Sequence, residues 1–345
     1  MLKQVISFGC WLLLLILAGC GEASPYAEEP SAQDRTITLN LDITTKAAAE
    51  PGESPDNFHL WIFNGDKLLK YITENKGWET SNEVGVDLKT TIETEIDATG
   101  ISAVQFYLLL NTEVIGPWAM TPAKLKALTF TLPSQPYSHD NKVPMSGEAT
   151  LDIFPSQLHY DVSIDATRCV AKLGIYCTKG NSSSSTLTIN KVTLSKVPDK
   201  GYLFEIPKNS QIDYSGTKSL LSEDMGIVNS YTGDMPAYSD DSWAETVEGS
   251  FVKVSSSYLL ENPNGEVTDD GFLQVDGTVS DDRYCITLYY TLNEADYTKK
   301  IYVSKIERNQ YSKIYIRIND AITVDDICCQ VNSWTTHEME VPPFK

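Results

Sequence analysis

The sequence predicts an all-β protein built as two β-sandwiches, and three observations carry that prediction. Apolar and polar residues alternate at period two in many short runs, sustained helical periodicity is nearly absent, and turn signals separate the runs at modest spacing.

Residues 1–20 read as an export signal and stand outside the fold. Lys3 supplies a positive n-region, Trp11 to Ala18 an apolar stretch, and Leu17-Ala18-Gly19-Cys20 closes it. The apolar stretch is shorter than the ~20 residues a spanning helix needs. Its Leu-Ala-Gly-Cys ending has the form of a lipobox, which predicts a lipid on Cys20 and attachment to a membrane surface without a spanning helix.

In the stretch TITLNLDITTKAAAEPGES (36–54), Ile37, Leu39, Leu41 and Ile43 alternate with Thr36, Thr38, Asn40 and Asp42, the signature of a strand with one buried face. The Lys-Ala-Ala-Ala and Glu/Pro/Gly/Ser tract behind it cannot bury apolar surface and reads as a flexible tether. Burying those four side chains contributes roughly 6–12 kcal/mol, an upper estimate, against a total of about 5–15 kcal/mol for an ordinary domain. Losing this strand without a replacement would be nearly ruinous.

Phe58 to Phe63, the turn dipeptide Asn64-Gly65, and a second extended run from Lys67 to Ile72 predict a hairpin. Ile101 to Leu110 is a long apolar run of sandwich-core type. Thr121 to Leu128 predicts one short helix, with Thr121 as N-cap, Pro122 at the first helical position, and Leu125 and Leu128 inward. Tyr160 to Ile164 alternates, and Arg168 to Cys177 predicts a further strand. Leu187, Ile189, Val192 and Leu194 alternate with a phase slip that predicts a bulge. Residues 208–249, rich in Ser, Asp, Gly and Tyr, read as long loops crossing between domains. Strands are expected again over 249–260, 284–292, 300–306 and 312–318. Two short ones end the chain, one with Ile327, Cys329 and Val331, the other with Met339 and Val341 before Pro342-Pro343. The expected organisation is a signal over 1–20, a leader over 21–46, and sandwiches over 47–200 and 201–345.

Lys and Arg number 27 against 47 Asp and Glu, for a net charge of −20, which repels phosphate backbones and excludes nucleic acid as a partner. With 41% hydrophobic residues the chain can build cores. Outside Cys10 and Cys20 it carries Cys169, Cys177, Cys285, Cys328 and Cys329, an odd number without metal spacing. Cys169 and Cys177, placed in one strand, would lie about 26 Å apart and could not bridge. The cysteines read as small buried apolar groups, and the sequence designates no disulfide.

Five features together resemble the fimbrillin, or FimA-like pilin, superfamily of Bacteroidetes. They are the lipobox at Cys20; the alternating leader strand with its Lys-Ala step; Leu60-Trp61-Ile62-Phe63-Asn64-Gly65; Pro144-Met145-Ser146-Gly147 with Arg168-Cys169-Val170-Ala171-Lys172-Leu173 downstream; and Arg308-Asn309-Gln310-Tyr311 with Val331 and Trp334 near the C-terminus. The resemblance implies two transthyretin-like sandwich domains and export as a lipoprotein to the outer membrane. It implies removal of the leader by an Arg- or Lys-specific, trypsin-like surface protease. It further implies head-to-tail polymerisation in which the C-terminal strands of a neighbouring copy, around Trp334, Met339 and Val341, fill the vacated groove. Lys46-Ala47 is the expected cut, just behind the strand and within the tether. Arg35 is the rival, and a cut there would leave the strand attached. The other class of function left open is a surface lipoprotein that binds a glycan or protein without polymerising, or an anchor or tip subunit that keeps its leader.

No catalytic constellation is expected, and no cofactor or metal site. His59, His139, His159 and His337 are scattered, and no zinc-protease, nucleophile-elbow or phosphate-loop motif occurs. Asp240-Asp241 and Asp269-Asp270 lack the ligand alternation of a calcium loop. Tyr231, Tyr238 and Trp243 are noted as aromatics that could stack on a sugar or touch a partner.

Overall fold

In the computed structural model the described residues are 35–45, 55–74, 77–80, 88–138, 140–180, 186–236, 241–265, 273–275, 281–319 and 326–333. The chain is predominantly β, as expected. The first nine strands are β1 (Thr36–Thr45), β2 (Phe58–Asn64), β3 (Lys67–Ile72), β4 (Glu79–Thr80), β5 (Leu88–Asp97), β6 (Ala103–Leu110), β7 (Thr129–Phe130), β8 (Met145–Asp152) and β9 (His159–Arg168). All but β7 join one sheet in the order β3-β2-β6-β8-β9-β1-β5-β4. Its halves β3-β2-β6-β8 and β9-β1-β5-β4 meet through only two residue pairs, Met145–Arg168 and Ser146–Thr167. The sheet folds over at that corner, and the inward side chains of both halves form one core.

The remaining strands are β10 (Ala171–Lys179), β11 (Leu187–Val197), β12 (Gly201–Tyr202), β13 (Gly216–Leu221), β14 (Met225–Ile227), β15 (Val252–Leu259), β16 (Leu273–Val275), β17 (Cys285–Leu292), β18 (Ala295–Val303), β19 (Gln310–Ile318) and β20 (Asp326–Ser333). Sheet β15-β10-β19-β20 packs against sheet β13-β11-β17-β18-β16 around a second core that includes Leu173, Ile175, Val192, Leu194, Ile286, Leu288, Ile314 and Ile316.

Several expectations are refined by this arrangement. The second sandwich begins at Ala171, not at residue 201, because β10 and β11 both lie in its sheets. The run from Arg168 to Cys177 is two strands: Arg168 ends β9 in the first sandwich and Ala171 opens β10 in the second, so apolar continuity there conceals a change of sandwich. Cys169 and Cys177 therefore do not share a strand; both are buried, as are Cys285 and Cys328. The described residues of 208–249 do not cross between sandwiches. They hold β13 and β14, which pair with β11, and a helix over Asp241–Val247.

The expected hairpin is β2–β3, but Asn64 is its last strand residue and Gly65, at φ 55°, opens the turn. The expected helix is α1 (Pro122–Lys126), where Thr121 Oγ1 caps Lys124 N–H at 3.3 Å and Leu125 is buried. The phase slip in β11 is a bulge between Ile189 and Lys191. Strand β18 starts at Ala295 rather than residue 300, after a turn in which Asn293 and Glu294 both take positive φ (50° and 69°). Glutamate rarely adopts that conformation and gave no turn signal.

Candidate strand-exchange site

Strand β1 occupies a central position. It pairs antiparallel with β5 from Thr36–Asp97 to Thr45–Leu88 and parallel with β9 from Thr38–His159 to Thr45–Ala166. Its alternation is realised without a slip: Ile37, Leu39, Leu41 and Ile43 are each 0% exposed, packed in the first core with Ile92, Ile96, Val162 and Ile164. The opposite face is polar and paired. Asn40 Nδ2 donates to Asp161 at 3.0 Å, Thr44 Oγ1 to Asp165, and Thr91 Oγ1 to Asp42 at 2.8 Å, while Lys89 lies 3.4 Å from Asp42. These exposed contacts fix register more than they add stability.

The neighbours of β1 depend on it. Among the described pairings, β5 is held in the sheet only by β1 and by the two-residue β4, and β9 otherwise only by its two pairs with β8. Taking β1 away leaves β5 and β4 detached and opens an apolar trench with unpaired backbone on both walls, the template for strand addition.

The two candidate cleavage residues stand in different settings. Arg35 is tied down: its N–H donates to Thr99 Oγ1 at 2.8 Å, its carbonyl accepts from Ala98 N–H at 2.7 Å, and its guanidinium donates to the Phe154 carbonyl and, at 2.6 Å, to that of Gln157. Lys46 and Ala47 lie outside the described residues, directly after the last ladder residue, Thr45. Cys20, Trp334, Met339 and Val341 also lie outside them. The last described strand, β20, pairs with β19 at the edge of its sheet and ends at Ser333.

Three of the motifs meet at the joint between the sandwiches. Cys169 N–H donates to the Pro144 carbonyl at 2.9 Å, and Asn309 N–H to that of Val170 at 2.8 Å. Arg168, buried, donates to Asn309 Oδ1 at 3.2 Å. Arg308 pairs with Glu261 at 2.8 Å and donates to the carbonyls of Tyr202 and Leu203 at 3.1 Å each, and to that of Phe204. That clamp presses Leu203 and Phe204 onto the outer face of the first sandwich, against Trp61, Phe63 and Tyr107. Gly147 sits where β8 turns away from β9; a Cβ there would come within 2.7 Å of the Asp165 carbonyl oxygen. These residues build the joint.

Among the described residues no group of three or more His, Cys, Asp or Glu could hold a metal ion, and no helix is long and apolar enough to cross a membrane. His59 bonds to Tyr71 and His159 opens β9; His139, His337, Asp240, Asp269 and Asp270 lie outside the described residues. Burial pushes the Cys169 and Cys177 thiols up, so both stay protonated and unreactive. Tyr231 and Trp243 are not free platforms: they pack with Phe251 and Tyr315 around the helix over Asp241–Val247, and Tyr238 is outside the described residues. The sequence reading missed the turn Val114-Ile115-Gly116-Pro117-Trp118, whose Ile115 and Trp118 are exposed. The available signal was an apolar run interrupted by Gly-Pro.

No protein-family model matches the chain, and no curated protein matches its sequence. Its fold is shared with solved structures of Bacteroidetes surface proteins. A candidate cell adhesion protein of Bacteroides eggerthii DSM 20697 superposes with a TM-score of 0.52 at 12% identity, over 87% of this chain and 95% of the other. One from Parabacteroides distasonis ATCC 8503 gives 0.52 at 17%, over 86% and 97%. The tip fimbrial protein Mfa3 of Porphyromonas gingivalis, C-terminally truncated, gives 0.50 at 12%, over 86% and 98%. The likeness is one of fold.

Proposed function

We propose that this chain is a structural subunit of a cell-surface fimbrium with a role in adhesion. In this reading it is exported as a lipoprotein anchored to the outer membrane through Cys20, and a surface protease cuts it after a basic residue. It then polymerises head to tail when the C-terminal segment of another copy takes the seat of β1. Its role is non-enzymatic.

The observation that carries the reading is the seat of β1: a central strand with one face wholly buried, on which two neighbours depend, and whose last ladder residue, Thr45, directly precedes Lys46. The secured backbone and side chain of Arg35 favour Lys46-Ala47 as the cut, because a protease needs an extended segment free of other pairing. A tip or anchor subunit that keeps its leader is the second reading, supported by the fold shared with a tip fimbrial protein.

The test is limited digestion with a trypsin-like protease, followed by electron microscopy and N-terminal sequencing. Filaments from digested protein that start at Ala47, and none from uncut precursor, are expected. Filaments that retain the leader sink the exchange mechanism. Deleting residues 334–345 is expected to abolish polymerisation while leaving a folded monomer.

A further inference from the structure

The outer face of β2 and β3 carries a run of aromatic rings that continues past the packed cluster into solvent. His59 and Trp61 stack at 5.6 Å between ring centroids. Tyr71, opposite Trp61 in the ladder, stacks on Trp61 at 5.2 Å and on His59 at 6.0 Å. Trp118 meets Tyr71 edge-on at 4.7 Å, the planes 80° apart, and is 70% exposed. Its turn is braced. Gly116 takes φ 62°, Pro117 follows, Trp61 Nε1 donates to the Pro117 carbonyl at 2.8 Å, and Lys124 Nζ donates to that of Ala119 at 2.8 Å. The indole is thus held outward in a fixed pose and its ordering cost is already met, as a binding surface requires.

The polar partners of the shelf are also fixed. His59 Nδ1 lies 2.6 Å from the Tyr71 hydroxyl, and the Thr112 backbone bonds to the same imidazole in a way that favours its protonated form, hence through the carbonyl. In the tautomer that satisfies both partners, the ring nitrogen facing the carbonyl carries the proton and Nδ1 accepts from the Tyr71 hydroxyl. The Tyr71 oxygen is left with lone pairs for an incoming donor, at right angles to an exposed apolar ring. No charged side chain takes part in the stack, and the one ionisable residue of the turn over 112–120 is the acid Glu113.

We propose that Trp118, Tyr71 and His59 form a binding site for a neutral pyranose of a surface glycan. The apolar face of the sugar ring lies on the Trp118 indole, and one of its hydroxyls donates to the Tyr71 oxygen. A ligand with one apolar face and a polar rim fits a corner made of one flat apolar ring and one hydrogen-bond acceptor. The net charge of −20 disfavours sialylated or sulfated sugars. The site rests on the adhesive part of the function proposed above and is independent of strand exchange, so it is tested on uncut chain.

The experiment titrates uncut full-length chain with neutral gluco-, galacto- and manno-configured oligosaccharides, read by tryptophan fluorescence and saturation-transfer NMR. At least one is expected to bind. Trp118→Ala should weaken it roughly tenfold or more, Tyr71→Phe should weaken it less while keeping the stack, and Ile115→Ser should leave it unchanged. Melting temperatures confirm that each variant is folded. Absence of binding by all three classes, or binding that survives Trp118→Ala, overturns the proposal. So does a loss of self-association shared by Trp118→Ala and Ile115→Ser, which would make the turn a contact between copies. Polymerisation after cleavage is measured separately, so either reading can fail alone.

Discussion

Leu41→Ala in the leader strand separates precursor stability from filament stability. Leu41 is fully buried, between Ile92 on β5 and Val162 on β9 in the two ladders. Truncating a buried leucine costs about 2–5 kcal/mol, the spread reflecting how far the site can collapse. Collapse is restricted here, because β1 is flanked by a ladder on each side and faces the opposite half of the sandwich. Urea unfolding of the uncut precursor should therefore show a loss in that range with little change in m. If β1 leaves during assembly, the substitution is absent from the filament. The equilibrium for its displacement should then shift by roughly 30-fold to several thousand-fold toward exchange. Cleaved Leu41→Ala protein should form filaments faster than wild type, and those filaments should match wild type in resistance to heat and denaturant. Thr38→Ala, on the half-exposed polar face, is the control and should change neither. Mutant filaments that are weakened by the same amount as the precursor would show that β1 stays in place, and would refute the exchange argument.

Three further outcomes follow from the joint and the shelf. Arg308→Lys should lose about 1.5–3 kcal/mol in thermal or chemical unfolding, because a single ammonium cannot reach Glu261 and the carbonyls of Tyr202 and Leu203 together. Gly147→Ala should cost about 1–3 kcal/mol by forcing a Cβ against the Asp165 carbonyl. Burial holds the His59 pKa below its ordinary 6.5, so the unfolded chain binds the proton more readily. Stability from this site should be full above pH 6.5 and fall as pH drops through the window between the unfolded and folded values. His59→Gln should flatten that part of the pH–stability curve measured by denaturant titration.

The strands were legible where one face is buried and the other is wet. In β1 the alternation of Ile37, Leu39, Leu41 and Ile43 has a single reading, and in β11 even the bulge showed as a shift of phase. Where both faces are buried the pattern loses its period. Strand β6 packs Phe106 and Leu108 into the sandwich core while Tyr107 and Leu109 lie under α1, so the sequence shows only a long apolar run. The same effect hid the boundary between the sandwiches: from Arg168 to Cys177 no polar turn residues mark the change, because Cys169 and Val170 are buried in the joint itself and even Arg168 and Lys172 are buried. The shelf could not be read because its parts lie on two strands and a distant turn. Nothing local tells that Trp118 stays in solvent while Trp61, in an equally aromatic neighbourhood, does not.

The pairing of β1 constrains how an exchange could run. Simple departure would release β5 and β4 and leave β9 tied by two residue pairs, so cutting the tether alone leaves a strand that is still held by both ladders. Displacement must instead be stepwise, with each pair lost to the leader gained by the entering strand. The two ends of β1 are unequal in this respect. At the N-terminal end, Arg35 is fastened through its backbone to Ala98 and Thr99 and through its guanidinium to the loop carrying Phe154 and Gln157. At the C-terminal end, Thr45 directly precedes Lys46, and its Oγ1 donates to the Met145 sulfur at 3.2 Å. A cut at Lys46 frees that end, whereas a cut at Arg35 would leave it attached to the tether and free the end that is fastened elsewhere. Fraying from Thr45 first exposes the walls beside Leu88 and Ala166. An entering strand would dock there and zip toward Arg35, whose clamp holds the leader until most of its seat is taken.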